Sequence, residues 1–162
     1  MKAISKINNT LAKIEGAVMV FWFAIVLVVM TCQVVSRYIF NAPIAWSEEF
    51  ARYSFVWISY IGCAYCVSVD AHTGITAFRD ALPPKAKKLT TVLGNVVVMI
   101  VFIRLLPIAM KFIGKNSKFL TSMMRIPFKY LYYSLPVGCV LTVVHLILKS
   151  ILLFAPGTIE KA

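Results

Sequence analysis

Four stretches free of charged residues, Gly16 to Ser36, Tyr53 to Val69, Leu89 to Ile103 and Tyr130 to Leu148, constrain this chain more than any other feature. A hydrocarbon core of about 30 Å needs roughly 20 helical residues, and each stretch reaches that length with its amphipathic flanks. The expectation is an all-α membrane protein with four transmembrane helices, over about 16–36, 47–69, 89–110 and 130–154, forming one domain over 1–162. Composition agrees. The chain is 60% hydrophobic and 14% charged, against about 45–50% and about 25% in soluble domains. Its 17 Lys and Arg against 6 Asp and Glu give a net charge of +11. Because most of these cations sit between apolar runs, they suit anionic lipid headgroups rather than nucleic acid. Cys32, Cys63, Cys66 and Cys139 all lie within apolar stretches, which argues against a secreted disulfide framework.

The third span contains Arg104 and Pro107, expected respectively to snorkel near a helix end and to kink the helix late. Ahead of the first span, Ile4, Ile7, Leu11 and Ile14 recur at spacings of three and four, with Lys2, Lys6 and Lys13 on other faces. That pattern predicts an N-terminal amphipathic helix lying in the interface; a basic tail that only sets topology is the alternative. The first apolar run is longer than the roughly 7–15 residues of a signal peptide's apolar region. Between spans two and three, Pro83 and Pro84 mark a turn, and Lys111 to Lys129 reads as a short amphipathic surface helix. With both termini cytoplasmic, nine basic residues face that side and seven the other. The three lysines before the first span, against Arg37 alone after it, favour that orientation.

Catalysis within a membrane needs ionisable groups inside the spans, and these are scarce. His145 reads as a histidine hydrogen-bonded to a neighbouring helix rather than a proton relay, and Gln33 and Asn95 as interhelical hydrogen-bonding groups. Cys63 and Cys66 have C-x-x-C spacing, but an apolar mid-helix setting works against a reactive thiolate. Only one other histidine, His72, is present, so no His-rich metal site is expected, and nothing suggests a cofactor. The polar cluster with most information is Arg37, Trp46, Glu48, Glu49, Arg52 and Tyr53. Ser47 is placed to cap the second helix, and acids in a first turn are favoured by its dipole. Either Glu48 or Glu49 is placed to pair with Arg52 on one helix face, and Trp46 to anchor the interface. The cluster is thus either an interfacial helix cap or a polar contact for another membrane subunit.

The run from Gln33 through Arg37 to Asn41, then Trp46, Glu48, Glu49, Arg52 and Tyr53, with Val56, Trp57 and Gly62, resembles the small DctQ-type membrane subunit of tripartite ATP-independent periplasmic (TRAP) transporters. His72 ahead of Leu82 and Pro83, and Ile126, Pro127, Tyr130, Leu135, Pro136 and Gly138 downstream, also match that family's pattern, whereas Thr73 to Phe78 departs from it. The resemblance implies a non-catalytic subunit in a bacterial inner membrane. It would brace a large multi-span membrane subunit that moves small organic acids, sugar acids included, with sodium, fed by a periplasmic substrate-binding protein. Two other readings compete. A self-contained four-helix exporter needs a membrane-embedded carboxylate, for which Glu48 and Glu49 at a helix entrance are the candidates, and a membrane thiol oxidase needs cysteines in an external loop in addition to Cys63 and Cys66.

Overall fold

The computed structural model describes residues 2–69 and 83–154, and all their regular elements are helices. The chain forms α1 (Lys2–Ile39), α2 (Ala45–Ser68), α3 (Pro84–Asn116), a single turn α4 (Lys129–Tyr132) and α5 (Ser134–Phe154). Three stretches, Ile4–Ile39, Leu89–Asn116 and Lys129–Leu152, are long and apolar enough to cross a membrane. Helix α2 has 24 residues but falls short of that group, its apolar content diluted by Arg52 and by serines and tyrosines such as Ser54, Ser59, Tyr60 and Tyr65. Residues 70–82, with His72 and the 73–78 stretch, lie outside the described residues, as does 155–162.

Two expectations about local structure change. The N-terminal residues are not a separate interfacial helix: α1 is continuous over 38 residues, about 57 Å at 1.5 Å per residue. Its first turns present Asn8, Ala12 and Glu15, spaced four and three apart, and all three are buried. A helix face occupied by protein has no reason to turn and lie flat on lipid. Nor do residues 111–129 form a surface helix. α3 runs on to Asn116, and 119–128 then fold back in a narrow hairpin closed by an antiparallel bridge between Leu120 and Pro127. In that hairpin Thr121 donates to the Ile126 carbonyl at 2.9 Å and Phe128 to the Phe119 carbonyl at 2.9 Å. Arg125 at its tip has φ +51°, a left-handed conformation incompatible with continuing a helix.

Helix α2 packs on both α1 and α5, α1 also meets α5, and α3 lies on α5, touching neither α1 nor α2 among the described residues. Helix α1 runs antiparallel to α2, with Gly16 against Tyr65 at one level and Met19 against Gly62 at the next. Helices α2 and α5 run parallel, since Tyr60 meets Gly138 and, further along both, Val67 meets Lys149. Their closest approach is at Gly138, where a Cβ would stand 2.8 Å from Tyr60 Cβ and 3.0 Å from the Tyr60 carbonyl oxygen. Helix α3 lies on α5 through one stripe, Asn95, Val98, Phe102, Leu105, Ala109 and Ile113, at helical spacing. With α3 held by α5 alone among the long helices, the assembly has little interior. The buried apolar side chains among the described residues are only Ala12, Val26, Ala64, Val67, Ala109, Ile113, Cys139 and Leu146, while Phe21, Leu27, Val97 and Ile100 stay more than half exposed.

Candidate functional site

Two polar constellations fasten the helices, one at each end. At the end where α2 begins, Gln33 of α1 accepts a hydrogen bond from the Ile44 backbone N–H at 2.8 Å, fixing the 40–44 connection, in which Asn41 has φ +52°. Ser36 in turn donates to the Ala42 carbonyl at 2.5 Å. Ser47 does not cap α2 as expected. The first residue ahead of the helix is Ile44, and the buried Ser47 hydroxyl donates to the Ile44 carbonyl at 2.7 Å instead.

The acidic pair next to it is split by function. Glu49 faces inward, and its Oε1 accepts from the Tyr53 hydroxyl at 2.6 Å and the Ser122 N–H at 3.1 Å. Its Oε2 accepts from the Met123 N–H at 2.9 Å and the Met124 N–H at 2.8 Å. One carboxylate thus collects three consecutive amides at the tip of the 119–128 hairpin, a use of anionic charge that directed N–H donors favour strongly. Tyr53 completes the clasp by packing edge-on to Phe128, ring centroids 6.1 Å apart, and Phe128 stacks on Tyr132. Neither Glu48 nor Glu49 forms an ion pair with Arg52, and the pairing expected from their spacing is replaced by this tertiary contact. Glu48 and Arg52 lie exposed on the same outer stripe of α2 as Phe55 and Ser59. Trp46 is exposed beside Phe50, and Arg37 is exposed in the last turn of α1, where a cation complements the helix dipole. Of the six residues singled out by sequence, Glu49 and Tyr53 are internal fasteners, and Arg37, Trp46, Glu48 and Arg52 face outward.

The clasp makes a direct prediction. Glu49→Gln keeps one acceptor oxygen and sets an NH2 against the remaining amides, so exchange of the Ser122, Met123 and Met124 amides should accelerate by about tenfold or more. Unchanged protection would mean that the hairpin holds itself together through its own bridge.

At the opposite end lies a cluster not foreseen as a unit. His145 of α5 is completely buried, with Nδ1 2.7 Å from Asn8 Oδ1 and Nε2 3.0 and 3.1 Å from the two Glu15 carboxylate oxygens. Glu15 and Asn8 are 4% and 5% exposed, so the cluster is sealed by protein. Each ring nitrogen thus faces an oxygen, Nδ1 that of the Asn8 side chain and Nε2 those of the Glu15 carboxylate. His145 is therefore hydrogen-bonded to a neighbouring helix, as its setting suggested. Ionisable groups are scarce in the spans as expected from sequence, yet Glu15, one residue before the first uncharged run, is a buried carboxylate that this scarcity did not foretell. One turn away, the buried Thr142 hydroxyl has no hydrogen-bond partner among the described residues. Nearby, the Lys149 ammonium donates to the Val67 carbonyl at the end of α2 at 2.5 Å, again a cation at a helix C-terminus.

The four cysteines are free thiols. Cys63 and Cys66 are half-buried within α2, and Cys139 is buried in α5. Replacing Cys63 and Cys66 together by serine should leave the thermal unfolding midpoint of the chain in detergent nearly unchanged, since neither thiol is bonded to the other. A large fall in that midpoint would give the pair a structural role that its setting does not suggest.

This geometry defines a helical membrane protein whose polar groups fasten its own helices and loops, while its apolar faces and several charges point outward. The chain belongs to the DctQ component family of tripartite ATP-independent periplasmic transporters, whose model matches residues 16–155. It is a membrane transporter component and not an enzyme. The sialic acid TRAP transporter small permease protein SiaQ of Vibrio cholerae is 32% identical over 143 residues, 88% of this chain and 81% of that protein. The sialic acid TRAP transporter permease protein SiaT of Haemophilus influenzae is 25% identical over 157 residues, and the match takes in 97% of this chain but 24% of that larger protein. The C4-dicarboxylate TRAP transporter small permease protein DctQ of Vibrio cholerae is 25% identical over 85 residues, 52% of this chain and 37% of that protein.

Proposed function

We propose that this chain is the non-catalytic small permease subunit of a sodium-coupled secondary transporter in the bacterial inner membrane, and that it braces a large multi-span subunit. The observation that carries the reading is the amount of apolar surface left uncovered: the outer face of α1 and most of α3 carry large exposed apolar side chains such as Phe21, Leu27, Val97 and Ile100. A large second membrane subunit supplies the cover that this chain does not give them. α2 joins the other three long helices as a fourth transmembrane segment, because it packs lengthwise between α1 and α5. Its charged start then lies at the external surface and both termini in the cytoplasm, in keeping with the lysines ahead of the first span.

The substrate class is a small organic acid delivered by a periplasmic binding protein. Relatives named for sialic acid and for C4-dicarboxylates support that class, sugar acids included. The outward residues Arg37, Trp46, Glu48 and Arg52 are offered as contacts with the large subunit, while Glu49 and Tyr53 act by holding the hairpin beside them.

The buried Glu15 is the kind of carboxylate that a self-contained exporter requires, but its partners are His145 and protein on all sides. The test is reconstitution. Liposomes holding this chain alone, under a sodium gradient, should take up no organic acid above empty vesicles. The chain, the large subunit and the loaded binding protein together should restore uptake. Robust uptake by this chain alone would overturn the reading.

A further inference from the structure

Arg104 stands out on α3. It is exposed on the side of the helix away from the stripe that meets α5, among the exposed Val97, Ile100, Val101 and Ile108. Among the described residues it has no hydrogen-bond or ion-pair partner. Its depth is what makes this unusual. At 1.5 Å per residue, Arg104 lies about 22 Å from Leu89 and about 10 Å short of Lys111, the next charged residue, so it sits inside the apolar stretch toward its C-terminal end. The ring of Phe112 packs on Tyr132 at 5.0 Å. About two turns earlier in α3, Arg104 therefore lies near the level of Gly138, where α5 meets α2.

Snorkelling does not relieve this placement. The nearer surface lies toward Lys111, about 10 Å along the axis, yet side chains on a helix lean toward its N-terminus, here away from that surface. The opposite surface is out of reach. Within the same turn Pro107 has no N–H to offer the Ile103 carbonyl, which therefore loses its ordinary helical donor. A cation in hydrocarbon persists where another protein group neutralises it.

We infer that the Arg104 face of α3 is a contact surface for a transmembrane helix of the large subunit, and that Arg104 there meets a carboxylate of that helix. The inference rests on the reading of this chain as one subunit of a two-part membrane assembly. An anionic partner at this depth would fix the register of two otherwise apolar helices, which packing alone leaves weakly specified. Guanidinium suits the role because it pairs with a carboxylate through two parallel hydrogen bonds.

The experiment is co-purification of the two full-length membrane subunits from detergent, with a tag on the large one. Arg104→Glu should lower recovery of this chain by about tenfold or more, and Arg104→Leu by several-fold. Arg104→Lys should fall between Leu and wild type, because a point charge replaces a fork. As a measurement independent of folding, a photoreactive residue at Ile100 in a chain that retains Arg104 should crosslink to the large subunit. Wild-type recovery for both Arg104→Leu and Arg104→Glu, or adducts at Ile100 with lipid alone, would overturn the inference and place Arg104 in lipid. Failure of the unaltered chain to co-purify would instead overturn the subunit reading itself.

Discussion

Glu15→Ala and His145→Ala should each destabilise the isolated chain by about 3–5 kcal/mol, the usual cost of leaving one member of a buried pair without its partner. For a chain of this size that corresponds to a fall in unfolding midpoint on the order of 10 °C, readable in detergent by a thermal shift. The effect is large because nothing nearby can substitute: both ring nitrogens are committed, and Glu15 and Asn8 are almost inaccessible to water. Asn8→Ala should cost less, about 1–3 kcal/mol, since it strands one polar atom rather than a charge. The double change Glu15→Leu with His145→Leu should cost less than the sum of the two single changes, because no polar group is left buried alone. If the single changes prove neutral, the cluster opens to water and is not the pin that fastens α1 to α5.

The second large effect is expected at Gly138. Its Cα hydrogen occupies the space where α5 crosses Tyr60, and an added methyl would meet backbone atoms of α2, which cannot swing aside as a side-chain tip can. Gly138→Ala should therefore cost about 1–3 kcal/mol, as overpacking of a tight contact does. Gly138→Leu should prevent α2 and α5 from closing. The contrast is with Gly94 and Gly114 of α3, where nothing lies within 4 Å of the added carbon. Alanine at those positions should be neutral or stabilising by roughly 0.5–1 kcal/mol, through helix propensity alone. Equal outcomes at all three glycines would contradict the close approach of α2 and α5.

Helicity and membrane character were readable from the spacing of charges, because the cost of placing charge in hydrocarbon leaves a mark on any sequence that crosses a bilayer. The family was readable too. Tryptophan, two acids, an arginine and a tyrosine within eight residues, 46–53, form a pattern specific enough to point to it. Even the hydrogen-bonding habit of Gln33 and His145 was visible, since a polar group among apolar helices must find a partner.

Which partner each group finds is a different matter. Glu49 had an arginine three residues away in its own helix, yet it binds amides 73 to 75 residues downstream. Three directed N–H groups suit a carboxylate better than one flexible side chain exposed to water. Glu15 looked like a charge flanking the first span, but 130 residues on α5 brings His145 against it, and it becomes buried. The same holds for the N-terminal turns, whose periodicity fits a lipid surface and a protein surface equally well. Local spacing thus settled that helices form and that they enter a membrane. Only the packing of α1 on α5, and of the 119–128 hairpin on α2, decided which charges fasten the fold and which remain outside, because hydrogen bonds depend on distances that sequence separation does not encode.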